Sequence, residues 1–237
     1  MHANNYSAAI TMRDMEKTFF FNCTPVLTYS TEFPEVAVPN NCKAQNCINR
    51  HISTHVQKFF CDVSTDLYRQ AVEGYKEAAK NNYPFNTYDA VQQYEITFNQ
   101  QCHLSLYVDQ YTYTGGAHGG TMRHSDNWDL ETGCRLTLAS LFPEGKDYRA
   151  FLIHQIICMA DMQMQQNPGI YFENYRELIR KYFDEQSFYL TPEGLSIYYQ
   201  QYEIAPYATG IVVFTIPYQT IKWQPSCAEI APLGMRP

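Results

Sequence analysis

The chain has 237 residues, of which 45% are hydrophobic and 17% charged, and its formal net charge is −7. This composition is sufficient for the core of one large domain or two small lobes. The acidic balance, without clusters of Lys and Arg, excludes a nucleic-acid-binding surface. No stretch approaches the roughly 20 apolar residues that span a bilayer, and the N-terminus lacks the basic and apolar regions of a signal peptide.

The first part of the chain predicts two strands and a long helix. Residues 19–21 and 26–29 are rich in strand formers, and Pro25 between them indicates an edge or a bulge. The segment 36–41 has the composition of a loop. From about Asn46 onward, apolar residues recur every three or four positions, which is typical of a helix with one buried face. They are Ile48, Ile52, Val56, Phe59, Val63, Leu67 and Ala71.

A glycine-rich run, TGGAHGG at 114–120, follows a predicted hairpin formed by 94–98 and 103–113. Glycine adopts positive φ at little steric cost, so the run predicts a tight surface loop that presents His118. A purely structural turn with one exposed histidine is the alternative. The run has neither the lysine of a phosphate-binding loop nor the spacing of a dinucleotide fingerprint, which excludes nucleotide binding.

The second part of the chain predicts strands and helices in runs rather than in alternation. It comprises a hairpin within 122–138, helices at 147–165 and 171–183, and strands near Phe188 and Ile197 and at 211–216. This order predicts an α+β fold, with antiparallel sheets packed against the long N-terminal helix and two later helices in two closely associated lobes.

Eight cysteines are scattered along the chain and form no C-x-x-C pair; they are Cys23, Cys42, Cys47, Cys61, Cys102, Cys134, Cys158 and Cys227. This pattern favours structural disulfides in an oxidising compartment, with buried free thiols as the alternative. Cys47 and Cys61 lie in one predicted helix about 21 Å apart, so they cannot pair with each other. We expect any bridge from that helix to reach the loop of Cys42 or the tail of Cys227.

Two histidine groups have spacings that permit metal binding. His51 and His55 lie one helical turn apart, but no glutamate stands between them as in a zinc protease. His118, His124 and Asp126 are brought near one another only if a hairpin forms between them. For both groups we favour a structural or solvated role, and the sequence predicts no metal and no cofactor.

Carboxylates and tyrosines provide the remaining candidates. Glu203 has few charged neighbours and lies among aromatic and apolar residues, so it is either hydrogen-bonded and partly buried or a functional acid with a raised pKa. Twenty tyrosines suit recognition of a protein or a sugar, although aromatic residues also pack within sheets. The tyrosine-rich segment 198–202 is the first candidate for a binding surface.

Several sequence blocks resemble a known domain. They are GGAHG at 115–119, DLETG at 129–133, LTLASLF at 136–142, FYLTPEGL at 188–195, YEIAPYATG at 202–210 and FTIPY at 214–218. In this order they resemble the domain of unknown function 3298, and the preceding residues resemble its N-terminal companion, domain 4163. The resemblance implies lobes at 1–114 and 115–237, with an unassigned tail from Trp223. This pair of domains occurs in the extracellular region of the lysozyme-sensing anti-sigma factor RsiV and in the non-catalytic part of the peptidoglycan deacetylase PdaC.

The resemblance implies a non-catalytic, extracytoplasmic binding or sensor module of a bacterial cell-envelope protein. The implied partner is a lysozyme-like protein or a cell-wall glycan, and the candidate contact residues are His118, Tyr199, Glu203 and Tyr207. The alternative is a hydrolase acting on cell-wall glycan or peptidoglycan, with Glu203 and His118 as acid and base. A cleft that unites these two side chains favours the hydrolase, whereas separate exposed loops favour the binding module.

Overall fold

A computed structural model describes residues 6–227 of the chain. The elements in chain order are β1 (Ala9–Phe21), β2 (Thr24–Ala37), α1 (Cys42–Asp62), α2 (Tyr68–Asn81), β3 (Tyr88–Gln100), β4 (His103–Tyr113), β5 (Gly120–Asp129), α3 (Tyr148–Gln166), α4 (Tyr175–Tyr182), β6 (Phe188–Leu190), β7 (Gly194–Tyr199), β8 (Val212–Pro217) and α5 (Tyr218–Ile221). The predicted α+β class is confirmed.

The first sheet contains the first five strands in the order β1-β2-β3-β4-β5. Neighbouring strands within this sheet are antiparallel, except for β2 and β3, which run parallel to each other. The expectation of antiparallel pairing therefore misses one pair. The reason is that α1 and α2 carry the chain from the end of β2 back across the sheet, and such a helical crossover returns the next strand in the same direction.

The β1–β2 hairpin is longer than predicted. β2 extends to Ala37, so the predicted loop at 36–41 is confined to the residues after that strand. The irregularity expected at Pro25 is present: Phe19 pairs with Leu27 and Phe20 with Pro25, which skips one residue of β2.

The long helix begins earlier than its apolar stripe indicated. Asn41 caps it, because its side chain accepts a hydrogen bond of 3.1 Å from the backbone N–H of Ala44. A wide helical turn at Val63–Leu67 joins α1 to α2 without interrupting the buried face. All seven residues of the predicted stripe are buried against the first sheet.

The second sheet is antiparallel in the order β6-β7-β8 and packs with α3 and α4 around a second core. Helix α3 agrees closely with its prediction, whereas α4 begins at Tyr175 rather than near residue 171. The predicted hairpin within 122–138 is reduced to one bridge between Trp128 and Arg135 beyond the end of β5.

A buried polar network joins the two sheets. Ser125 Oγ and Asn127 Nδ2 donate to the carbonyl of Phe188 at 2.6 and 2.9 Å, and the N–H of Leu190 donates to Ser105 Oγ at 2.8 Å. These polar side chains are buried because they satisfy the backbone of β6. The first sheet extends past residue 114, since β5 completes it, and the proposed division of the chain at that point stays a prediction.

One disulfide is present in the described part of the chain, between Cys102 and Cys227. The other six cysteines are free and exposed. The structure therefore has fewer disulfides than the cysteine pattern suggested, and it does not contain the buried thiols of the alternative. Cys47 and Cys61 lie in the continuous helix α1 and do not pair, as predicted, while the tail of Cys227 reaches the β3–β4 turn rather than α1.

Within residues 6–227, none of the helices has the length and apolar character needed to cross a bilayer. This agrees with the sequence, in which no stretch of sufficient length is apolar.

Candidate functional site

A polar cleft of about 530 Å³ lies where β5 faces the loops of the second half of the chain. We call it the junction cleft. Its lining residues are His55 of α1, Met122, Arg123, His124, Ser125 and Asp126 of β5, Arg135, and Asp184, Gln186, Ser187, Tyr198, Gln200, Gln201 and Glu203 from the second half.

Arg123 fixes the β5 wall of this cleft. Its guanidinium makes two hydrogen bonds of 2.7 Å to the carboxylate of Asp109 and lies 3.6 Å from the centre of the Tyr107 ring. Burial alone would lower the pKa of Arg123, but the hydrogen bonds and charge of Asp109 outweigh it and raise that pKa. The arginine is therefore charged, and it joins β5 to β4 through its contacts with Asp109 and Tyr107.

Two glutamine side chains fasten the opposite wall to β5. Gln200 accepts from the N–H of Arg123 at 2.9 Å and donates to its carbonyl at 2.7 Å. Gln201 accepts from the N–H of Thr121 at 2.8 Å. Because these bonds continue the ladder of β5 with side-chain amides, the loop after β7 has a defined position on the edge of the first sheet.

Glu203 is half-buried in the junction cleft. Burial raises the pKa of its carboxyl, and the N–H of Gln200, which donates to Oε2 at 2.7 Å, opposes this effect only in part. The negative charge of Asp184 raises the pKa of Glu203 further. The acid is therefore hydrogen-bonded and partly buried, as the first alternative of the sequence analysis expected, and its pKa is also raised, while a functional role for it stays a prediction.

The floor of the cleft contains a carboxylate surrounded by histidines. Asp126 Oδ2 lies 2.9 Å from His51 Nε2, and Asp126 Oδ1 lies 2.6 Å from Arg135 NH2. The rings of His51 and His55 are 4.5 Å apart, and the His124 ring is 6.3 Å from that of His55. His51, His55 and Asp126 have one potential ligand atom each within 4.8 Å of one another.

The charge state of this cluster follows from burial and contact. Burial would raise the pKa of Asp126, but the hydrogen bond of His51 and the charge of Arg135 keep it below its usual range. Burial lowers the pKa of His55 and of His124, and the neighbouring His51 lowers that of His55 further. Asp126 is therefore an anion at neutral pH.

An exposed aromatic array stands beside the cleft. The His118 ring stacks on Tyr207 with a centroid distance of 3.8 Å and an interplanar angle of 20°, and Tyr202 lies 5.8 Å from Tyr207. We call these three residues the aromatic surface. His118 is exposed, as the sequence predicted, and Tyr202 is 54% exposed. The structure thus brings together two predicted site residues, His118 and Tyr207, from loops far apart in the chain.

Tyr199 does not belong to this surface. It is 1% exposed, and its hydroxyl donates to the carbonyl of Ile179 at 3.1 Å within the second core. Its neighbour Tyr198 is also buried and lines the junction cleft. In the tyrosine-rich segment, Tyr202 is the exposed member, because the chain leaves β7 before it and adopts positive φ there.

The other predicted groupings are only partly realised. His118 stacks on Tyr207 and does not line the junction cleft, so that cleft does not unite His118 with Glu203. Asp126 approaches His51 and His55 rather than His118. The sequence showed the spacing of His51 and His55 but did not connect these histidines with Asp126. Asp126 lies on β5, 71 or more positions away in the chain, and no local pattern links it to α1.

Comparison with known families confirms the resemblance found in the sequence. Residues 22–121 match the model described as Deacetylase PdaC, and residues 139–219 match the model described as Protein of unknown function (DUF3298). The chain thus combines a PdaC-type segment with a DUF3298 segment. It is 27% identical over 77 residues to the peptidoglycan-N-acetylmuramic acid deacetylase PdaC of Bacillus subtilis, a match that covers 32% of this chain and 16% of that protein. These matches relate the chain to proteins of the bacterial cell envelope.

Two crystal structures share the fold. A DUF3298 family member from Bacteroides fragilis aligns with a TM-score of 0.68 at 22% identity, covering 92% of this chain and 94% of the other. A DUF3298 family protein from Pseudomonas aeruginosa aligns with a TM-score of 0.57 at 15% identity and the same coverages. The arrangement of both sheets and their helices is therefore that of the DUF3298 structures.

Proposed function

We propose that this chain is a non-catalytic binding module of an extracytoplasmic cell-envelope protein, and that its partner contacts the aromatic surface. The observation that supports this most directly is the stack of His118 on Tyr207 beside the exposed Tyr202. Such rings offer apolar faces with polar edges, and their few rotatable bonds limit the entropy lost on binding.

The surroundings of the aromatic surface favour recognition by a preformed site. Gln201 is bonded to β5 and Glu203 to Gln200, so the loop that presents Tyr202 is held on both sides. The rings therefore need little reordering when a partner binds, which improves affinity. Glu203 contributes a carboxylate at the adjoining cleft, where it can accept hydrogen bonds from a partner.

The partner we propose to test first is a lysozyme-type enzyme, because the resemblance includes a lysozyme sensor. A cell-wall glycan is the second candidate, and the name of the relative PdaC refers to peptidoglycan. The net charge of −7 favours association with a basic protein. For such a partner, the association rate is expected to fall as salt rises from low to physiological concentration.

Titration calorimetry with a lysozyme-type enzyme, and separately with soluble peptidoglycan fragments, tests the proposal. Tyr202→Ala is expected to weaken binding about 10-fold or more, the effect typical of a central aromatic contact. Phe20→Ala is the matched control, since Phe20 is 56% exposed and lies on β1, away from the aromatic surface. Absence of binding to both partners, or equal weakening by the two substitutions, would refute the proposal.

The proposed location outside the cytoplasm is supported by the disulfide between Cys102 and Cys227, since such bonds persist in oxidising compartments. The six exposed thiols provide the test. A membrane-impermeant maleimide applied to intact cells is expected to label the protein. Labelling only after lysis would contradict this location.

A further inference from the structure

We propose that His51, His55 and Asp126 bind one divalent transition-metal ion of the Zn²⁺ class at the floor of the junction cleft. This site goes beyond the binding function proposed above and is independent of it. The two histidines follow each other by one turn on α1, and Asp126 faces them from β5.

The distances suit such an ion. In a tetrahedral site with ligand bonds of about 2.0–2.1 Å, the donor atoms are separated by about 3.4 Å. His51 Nε2 and Asp126 Oδ2 are 2.9 Å apart, and the complete set lies within 4.8 Å. Small rotations of the side chains therefore bring the three donors into the first coordination sphere. Two imidazoles with one carboxylate select Zn²⁺ and similar ions over Mg²⁺ or Ca²⁺, which prefer oxygen ligands.

The surrounding residues hold the donors in place. Arg135 bonds Asp126 Oδ1 at 2.6 Å and leaves Oδ2 directed at His51. The His51 ring lies edge-on to Trp128 at 5.4 Å, which limits its rotation. Groups that orient metal ligands in this way commonly determine affinity. The charge of Arg135 opposes a cation, but its side chain is 45% exposed, so solvent screens that repulsion.

An ion pair between His51 and Asp126 explains only part of the arrangement. It leaves the half-buried ring of His55 without a hydrogen bond from any described residue, 4.5 Å from the ring of His51. A shared ion gives that ring a ligand role. His55 and Asp126 both line the junction cleft, so the ion would be accessible from it, and His124 or water can occupy a fourth position.

Zinc titration of the tag-free, metal-stripped full chain tests the site. One Zn²⁺ per chain is expected to bind, and at a concentration 100 times the dissociation constant the melting temperature should rise by about 5–10 °C. His55→Gln is expected to weaken binding about 100-fold or more while leaving the contacts of Asp126 with His51 and Arg135 intact. The exposed His154 is the matched control, because its ring lies 3.7 Å from Cys158 and offers an adventitious site. His154→Ala should leave the high-affinity binding unchanged.

The Co²⁺-loaded wild-type protein provides a measurement that needs no variant. Its visible d–d bands are expected to be those of nitrogen and oxygen ligands, without the near-ultraviolet thiolate charge-transfer band that binding to the exposed cysteines would produce. A thiolate band from the tightly bound ion would overturn the proposal. So would an absence of stoichiometric binding, or Zn²⁺ binding that survives His55→Gln and disappears with His154→Ala.

Discussion

Gly119 is the position where the glycine-rich loop tolerates a side chain least. A Cβ at this position would lie 2.4 Å from the ring of Tyr111 and 2.5 Å from the carbonyl oxygen of Thr112, well inside the usual carbon contact distance of about 3.5 Å. The tyrosine ring can rotate, but the carbonyl belongs to β4, where Thr112 pairs with Gly120 of β5. Relief of the clash therefore requires a shift of backbone in the first sheet.

We expect Gly119→Ala to reduce the free energy of unfolding by about 2–3 kcal/mol, in the range of overpacking substitutions. This corresponds to a fall in melting temperature of about 5–10 °C for a chain of this size. Gly116→Ala is the matched control, since a Cβ there meets no atom within 4 Å and its effect should stay within about 0.5 kcal/mol. Gly115 has φ +83°, so its alanine variant should lose an intermediate amount, about 1 kcal/mol.

Urea unfolding of the three variants, followed by circular dichroism, measures these differences. The expected order of destabilisation is Gly119→Ala, then Gly115→Ala, then Gly116→Ala. Equal losses at positions 116 and 119 would show that the loop responds to alanine in general, and that the close approach of Thr112 to Gly119 does not determine the loss.

Three further predictions concern an acid in the junction cleft, the disulfide and a helix contact. Because folding raises the pKa of Glu203, this carboxyl contributes stability at pH values below its unfolded pKa, and the contribution is lost as the pH rises through the folded pKa. The stability of the Glu203→Gln variant relative to wild type should therefore increase between about pH 4 and pH 7. Urea melts that give the same difference in stability at both pH values would contradict this sign. Cys102→Ser should reduce the free energy of unfolding by about 2–5 kcal/mol, since the bridge to Cys227 closes a separation of 125 positions. Unfolding of the variant and of wild type, both without reductant, measures this loss. Peptide mapping that finds Cys227 paired elsewhere in wild type would refute it. Asp161→Asn should lower the free energy of unfolding by about 1 kcal/mol, because the carboxylate accepts hydrogen bonds from two side chains of α4, Tyr175 at 2.5 Å and Arg176 at 2.9 Å. An unchanged melting temperature would show that these bonds do not contribute to stability.

The elements that the sequence predicted well are those with a strong local period. β4 has the predicted bounds, His103–Tyr113, because its apolar residues recur at every second position, which places Leu104, Leu106 and Val108 on the face that packs against α1. The stripe from Ile48 to Ala71 is buried throughout, because a spacing of three or four residues keeps one helical face on the sheet. In both segments the tertiary environment reinforces the local preference.

The features that the sequence did not predict depend on contacts between distant segments. The parallel pairing of β2 with β3 follows from the path of the α1–α2 crossover, which no residue pattern within either strand encodes. Tyr199 was expected at a surface, yet alternate positions of β7 are both covered, one by the second core and the other by the first sheet. A strand that is buried on both faces shows no alternation of apolar and polar residues, so the sequence does not reveal that Tyr199 lies in a core.

The candidate site illustrates the same limit. The spacing of His51 and His55 was visible in the sequence, but their chemical meaning depends on Asp126, and pairing between strands determines where that residue lies. Asp126 and Arg135 fall between the PdaC segment at 22–121 and the DUF3298 segment at 139–219, whereas the two histidines belong to the first segment and Glu203 to the second. Neither matched segment alone contains the junction cleft. The cleft is therefore a property of the whole fold, because β5 lies between α1 and the segments before β6 and after β7, and so places groups from both matched segments around one cavity.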